Sequence, residues 1–277
     1  MQKSSATGRS YTNVDESANP TALADLLRTQ SGFALVKAAK QIVFDALEVQ
    51  PGNTVLDVGS GVGQDVLTLA RMVGPTGRVV GVDKSATMIE EARKSVAGDA
   101  ANLPVEFLVA DAETTLPFAD ATFDRCHSER VLQHVSDGQR VVAEMARVLR
   151  PGGHIALIDA DHASLIIDSP DRELTRTLVH HSASKVANGW AGRGLRRMVV
   201  TAGFVDVTCQ PLSAVATASD YEVERDIYLR PMIEQAVADG VVTPQQGADW
   251  LAGLEQAARD DTFFVVGTMY LVSARRP

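Results

Sequence analysis

The feature that most constrains the fold is a rhythm: between residues 54 and 159, short β-branched runs alternate with helical patterns. Thr54–Val58 is too brief for a helix, and glycines and then a helical pattern over residues 64–72 follow it. The unit recurs as a strand at 78–82, a helix at 86–96, strands at 105–109 and 122–127, a helix at 138–149 ended by Pro151-Gly152-Gly153, and a strand at 154–159. Strands alternating with helices predict a parallel sheet with right-handed crossovers, hence an α/β, doubly wound architecture.

The flanks obey other patterns. Residues 20–47 carry Leu23, Leu26, Leu27, Leu35, Val36, Ala39, Ile42, Val43 and Leu47 at helical spacing, broken at Ser31-Gly32, which predicts two helices leading into the core. Beyond Asp159 the chain reads as irregular or helical over 160–194, then helix 195–201, strand 204–210, a helical stretch 219–259 and a last strand 263–274. The closing strands read as a hairpin opened by an insertion. One domain over 1–277 is therefore expected: N-terminal helices (1–50), a core (51–211), a helical lid (212–262) and a final strand (263–277).

Composition removes several classes of function. The formal charge of −9 repels polyanions, and the densest basic cluster, Arg193, Arg196 and Arg197, does not overturn it, so DNA is not an expected partner. The longest apolar stretch, 263–274, falls short of the ~20 residues that span a bilayer, and residues 1–11 lack the core of a secretory signal. Cys126 and Cys209 sit in apolar runs that read as buried strands, outside any metal or redox spacing. A reduced, cytoplasmic setting with no membrane partner follows as the expectation; self-association is left open.

The glycine-rich turn carries the chemistry. Gly59, Gly61 and Gly63 fall where the first strand turns into a helix, so the backbone can approach a ligand and a helix N-terminus offers free N–H groups. Asp83 ends the next strand, and a carboxylate there can accept both hydroxyls of a ribose. The spacing is Gly-x-Gly-x-Gly after an acidic residue, Asp57, rather than the Gly-x-Gly-x-x-Gly of dinucleotide sites. That disfavours NAD.

With these pieces, the sequence resembles the class I S-adenosylmethionine-dependent methyltransferases. Its nearest likeness is to small-molecule members related to the ubiquinone and menaquinone C-methyltransferases and to natural-product O-methyltransferases. The likeness covers about residues 54–204. It rests on the loop from Asp57 to Gly63, Asp83, Ala110-Asp111-Ala112, Leu116-Pro117-Phe118, Phe123-Asp124 and the Arg147 to Gly153 turn. It implies a Rossmann-like methyltransferase fold with a mostly parallel, seven-stranded sheet, and S-adenosylmethionine as cofactor with S-adenosylhomocysteine as its product. It also implies that Gly59 to Gly61 cradle the amino-acid part, that Asp83 holds the ribose, that Met88 covers the adenine and that Asp111 with Ala112 meets the adenine edge. Asp57, Ser60, Lys84 and Glu129 complete the implied cofactor set.

On the acceptor side, α/β sheets bind ligands at the C-terminal ends of their strands, which singles out His127, Ser128 and Glu129 and then Asp159, Asp161 and His162. Related O-methyltransferases flank the acceptor with a histidine and a strand-ending aspartate, and His134 and Asp159 match those positions. That likeness makes them the expected catalytic pair, with His134 as base for an acceptor hydroxyl. His180-His181 point in different directions on a helix, and no metal ligand set is expected. The function read from the sequence is methylation of a small molecule, with natural-product O-methylation first. C- or N-methylation, or a cyclase or isomerase on the same fold, are the alternatives.

Overall fold

The computed structural model describes residues 12–17, 19–31, 34–96 and 102–277. The element order is α1 (Pro20–Ser31), α2 (Ala34–Leu47), β1 (Thr54–Val58), α3 (Gln64–Val73), β2 (Arg78–Asp83), α4 (Ala86–Ser95), β3 (Val105–Val109), β4 (Phe123–Glu129), α5 (Gly138–Val148), β5 (Leu149–Ala160), β6 (Ile166–Ile167), α6 (Arg172–Ser184), α7 (Ala191–Thr201), β7 (Val205–Ala216), α8 (Tyr221–Glu224), α9 (Arg230–Ala238), α10 (Pro244–Arg259) and β8 (Val265–Arg275). Two helices flank the break expected at Ser31-Gly32, but Gly32 itself lies outside the described residues, as do residues 1–11.

The sheet runs β3-β2-β1-β4-β5-β8-β6, with β7 also pairing β8. β1 to β5 are parallel, and β8 is antiparallel to β5, β6 and β7. β7 and β8 pair from Val205↔Arg275 to Ala216↔Val265, so the expected hairpin is present and residues 217–264 are its long connection. β1 is buried along most of its length, as a central parallel strand covered on both faces requires. Helices α2, α3 and α4 cover one face around Leu47, Leu69 and Ile89, and α5 and α7 cover the other around Val142, Met145 and Leu195.

Three local readings change. β5 begins at Leu149, so the Pro151-Gly152-Gly153 segment lies within an irregular strand start rather than in a separate turn, with Gly152 at φ 77°. β6 is an added eighth strand, and its two residues are too few to establish a period. Cys126 is buried as expected but Cys209 is exposed, because β7 pairs β8 alone and leaves much of its length uncovered.

The insertion builds a core of its own. Leu178 of α6 packs with Leu229, Met232, Ile233, Trp250 and Leu254, and the Trp250 indole N–H donates to Thr175 Oγ1 at 2.9 Å. At the other end of the chain, Val14, Leu23 and Ala24 pack on Val62 and Met88. Polar contacts pin this N-terminal layer. Asp15 accepts from Ser85 Oγ and from Ala86 N at the start of α4, and Arg28 pairs with Glu91 of α4 at 2.6 Å. An aspartate at a helix N-terminus satisfies free N–H groups and opposes the helix dipole, so the anchor is directional.

Candidate active site

A cleft opens at the C-terminal ends of β1, β2 and β4. Gly59, Gly61, Asp83, Lys84, Met88, Asp111, Ala112, Glu129 and His134 line it, so most of the expected cofactor residues meet there. The loop is shaped by close approach. Gly59 has φ 74°, and a Cβ there would lie 2.1 Å from Val131 Cγ2, so no side chain fits between the loop and the segment after β4. Gly63, at φ 81°, turns the chain into α3 in the left-handed region that glycine enters without strain.

Asp83 ties the wall together. Its carboxylate accepts from Gly61 N and from Ser85 N, each at 2.9 Å, and lone-pair capacity remains for a ligand in the cleft it lines. Burial pushes its pKa up, and the bonds from Ser85 and Gly61 only partly offset this. Ser85 caps α4 by accepting from Met88 N at 3.1 Å, which fixes the start of the helix that carries Met88 into the cleft.

Asp57 and Ser60 do not line the cleft. Asp57 is buried beneath the loop, with Oδ1 2.8 Å from Nδ1 of the buried His127, and it supports the floor rather than touching the space above it. Burial pushes the Asp57 carboxyl up, whereas for His127 burial is outweighed by the neighbouring Asp57 and the imidazole is held above its ordinary range. Ser60 is buried as well, and its Oγ has no partner among the described residues. Motif position marked both residues as near the ligand, but it does not encode which way a side chain turns from a strand end.

On the acceptor side, Gln133 bridges two imidazoles. His162 Nε2 lies 2.7 Å from Gln133 Oε1, and Gln133 Nε2 lies 3.0 Å from His134 Nε2. The same Gln133 amide nitrogen donates to Arg130 O at 3.4 Å, which fixes the amide so that it also donates to His134. His134 Nε2 is then an acceptor. Burial, with His162, Arg130 and Lys84 nearby, pushes the His134 pKa down to about 4.

Asp159 sits beneath this wall, 1% exposed, accepting from Ala160 N at 2.9 Å and Gln133 N at 3.2 Å. Burial pushes its pKa up to about 7. Its place is under the backbone of the turn that presents His134, not in the cleft lining. Asp161 pairs with Arg193 through both carboxylate oxygens, at 2.6 and 2.8 Å, so the segment from Asp159 to His162 spends its carboxylates on protein partners.

Comparison with known proteins now decides the family. A methyltransferase domain model matches residues 56–157. An uncharacterized 37.1 kDa protein in transposon TN4556 of Streptomyces fradiae is 38% identical over 244 residues, 86% of this chain and 67% of that protein. A demethylmenaquinone methyltransferase of Desulfitobacterium hafniense is 34% identical over 135 residues, about half of each chain (49% and 53%). Haemonchus contortus phosphoethanolamine N-methyltransferase 2, solved with phosphomonomethylethanolamine and S-adenosylhomocysteine, shares the fold with TM-score 0.61 at 18% identity, covering 98% of this chain and 61% of that one.

The chain belongs to the class I S-adenosylmethionine-dependent methyltransferases.

For a methyltransferase the cleft has a coherent layout, and the sequence missed part of it. Val14 and Leu27, from the N-terminal layer, line the cleft, with Leu27 close to Gly61 of the glycine loop, whereas none of its lining comes from residues 212–262. Their helical spacing marked the N-terminal leucines as core, yet nothing in that spacing says which leucine faces a ligand. Tyr221 and Trp250 are buried, and Trp190 and Tyr228 are exposed. Ligand atoms of Asp65, His127 and Glu129 gather within 4.8 Å, but Lys40 Nζ lies 2.7 Å from Asp65 and 2.9 Å from Glu129. An ammonium already serves those carboxylates. Among the described residues no helix is long and apolar enough to cross a membrane.

Proposed function

We propose that this methyltransferase carries a methyl group from S-adenosylmethionine to a small acceptor, acting by placement and not by removing a proton through His134. The cofactor residues present suit that molecule: a glycine backbone at one end, the Asp83 carboxylate for ribose hydroxyls, and Met88 and Leu27 as apolar walls for a purine. Bound there, S-adenosylmethionine supplies an electrophilic methyl whose bonding pair leaves with sulfur as the acceptor atom attacks from the opposite side. The chain then has to hold the acceptor in line, and positioning of this kind is worth up to ~7–11 kcal/mol of a barrier.

The observation that carries the acceptor reading is the state of His134. Its Nε2 accepts from Gln133, and a conjugate acid near pKa 4 makes it a poor proton acceptor at neutral pH. O-methylation of a natural-product hydroxyl is then favoured only for an acidic hydroxyl, a phenol or enol that arrives ionised, and an amine or activated carbon would serve equally. The test is incubation with methyl-labelled cofactor and a panel of phenols, sugars, amines and quinols, following the label. Acidic phenols or other pre-activated acceptors should take the label and sugars should not. Labelled sugars would overturn the placement reading, and cofactor binding with no transfer to any acceptor would favour a cyclase or isomerase.

A further inference from the structure

The charge cluster at the floor of the cleft involves a residue outside every motif, Lys40 of α2. Its ammonium lies 2.7 Å from both Asp65 oxygens on α3 and 2.9 Å from Glu129 Oε2 at the end of β4, with all three side chains mostly buried. Glu129 also faces the cleft beside Gly59 and Gly61. We propose that Lys40 is a positioning residue for the amino-acid end of the cofactor: it holds the Glu129 carboxylate ionised and aimed into the cleft, where it pairs with the cofactor's ammonium. The inference rests on the cofactor reading above.

Among the described residues Lys40 is the strongest of the charges that keep Glu129 ionised, and the only one of them at short hydrogen-bond distance. His127, next but one on β4, points its Nδ1 at Asp57, and its Nε2 has no hydrogen-bond partner among the described residues, so it does not bond Glu129. Arg130 Nε is 3.5 Å from Glu129 Oε1, beyond good hydrogen-bond length, and its side chain is more exposed. Asp65, the remaining neighbour, is itself a carboxylate, and without Lys40 it would repel Glu129. Burial alone pushes the Glu129 carboxyl up; Lys40 first and Arg130 second reverse this and hold it below its ordinary range. Removing one partner of a buried ion group leaves an uncompensated charge, and the carboxyl takes up a proton to relieve it.

A neutral Glu129 no longer attracts an ammonium. The consequence is selective for one end of the cofactor. 5′-Methylthioadenosine keeps the nucleoside and lacks the amino-acid end, so it reports on Asp83 and Met88 and not on Glu129.

The experiment is calorimetric titration of the full chain, its Lys40→Met variant and its Lys40→Arg variant with S-adenosylhomocysteine and with 5′-methylthioadenosine, at pH 6 and pH 7.5. Lys40→Met should weaken S-adenosylhomocysteine by about tenfold or more at pH 6, the equivalent of a one-unit rise in the carboxyl pKa above that pH. The loss should shrink at pH 7.5 as Glu129 ionises, 5′-methylthioadenosine should be unaffected, and Lys40→Arg should recover most of the affinity. Equal weakening of both ligands would mean that Lys40 only holds α2 in place, and unchanged S-adenosylhomocysteine affinity at both pH values would mean that Glu129 does not need it; either result overturns the proposal. If the unaltered chain bound no S-adenosylhomocysteine, the cofactor reading would fall instead.

Discussion

The two walls of the cleft treat their polar side chains differently. On the cofactor wall, Asp83 bonds to backbone N–H groups of its own loops and still faces the cleft. On the acceptor wall, His162, Gln133 and His134 bond to one another, Asp159 bonds to the backbone of the turn beneath them, and Asp161 is held by Arg193. The first wall holds a carboxylate in place and leaves it facing the cleft. The second is a hydrogen-bond chain that fixes His134, whose pKa burial pushes down to about 4, while Asp159, the group pushed up to about 7, bonds to backbone N–H groups beneath the turn and does not line the cleft. On the proposed reading, that contrast separates recognition, assigned to backbone and carboxylate, from activation, left to the acceptor.

The largest effect should come from the cofactor wall. Gly59→Ala places a Cβ 2.1 Å from Val131 Cγ2 at a positive φ, and strain plus overpacking of a few kcal/mol should weaken S-adenosylhomocysteine by roughly 10²-fold or more. Calorimetry measures it directly. Affinity within a few-fold of the unaltered protein would show that the loop relaxes and that its close approach to Val131 is not required.

A smaller effect should appear as opposed pH slopes on the acceptor wall. Asp159 has a folded pKa of about 7, against about 3.9 for an unfolded aspartate, so between those values the folded chain binds a proton that the unfolded chain lacks. Its contribution to stability therefore falls as pH rises, by about 1.4 kcal/mol per pH unit. His134 is the mirror case: with a folded value of about 4 against about 6.5 unfolded, its contribution rises with pH across that interval at the same slope. In the unaltered protein the two nearly cancel. Urea unfolding between about pH 4.5 and 6 should show stability climbing more steeply with pH in Asp159→Asn, and falling with pH in His134→Gln, relative to the unaltered protein. Parallel profiles for all three proteins would contradict the assigned protonation states.

The smallest effect is expected in turnover. His134→Ala should lower kcat by less than the ~10²-fold that loss of a general base brings, once an acceptor is identified. A fall of 10² or more, with an acidic limb that moves in the variant, would restore His134 as the base.

Much of this could be read before any coordinates. The alternation from Thr54 to Asp159 identified the sheet because a parallel sheet demands it, and the glycines plus Asp83 pointed to residues that line one cleft, because close backbone approach and a strand-ending carboxylate leave a residue-type signature. Asp57 and Ser60 are buried beside the cleft without lining it, and their motif did not reveal this, since a motif fixes chain position but not whether a side chain at a strand end points up or down. Val14, Leu27 and Lys40 carried no such signature. An apolar residue on a ligand and one in a core have the same spacing, and a lysine reaching across to Asp65 and Glu129 depends on packing between elements far apart in sequence. The insertion was legible as helices, but its own core around Trp250 was not, because burial against a neighbouring helix leaves no mark beyond periodicity.

The central claim is that Asp83 and the glycine loop form the cofactor wall, and calorimetric titration of the unaltered protein and of Asp83→Ala with S-adenosylhomocysteine at pH 7.5 tests it most directly. Micromolar binding to the unaltered protein is expected, with a loss of about 2–3 kcal/mol, roughly 30- to 150-fold, on removing the carboxylate proposed to accept from both ribose hydroxyls. Equal affinity for the two proteins would contradict it.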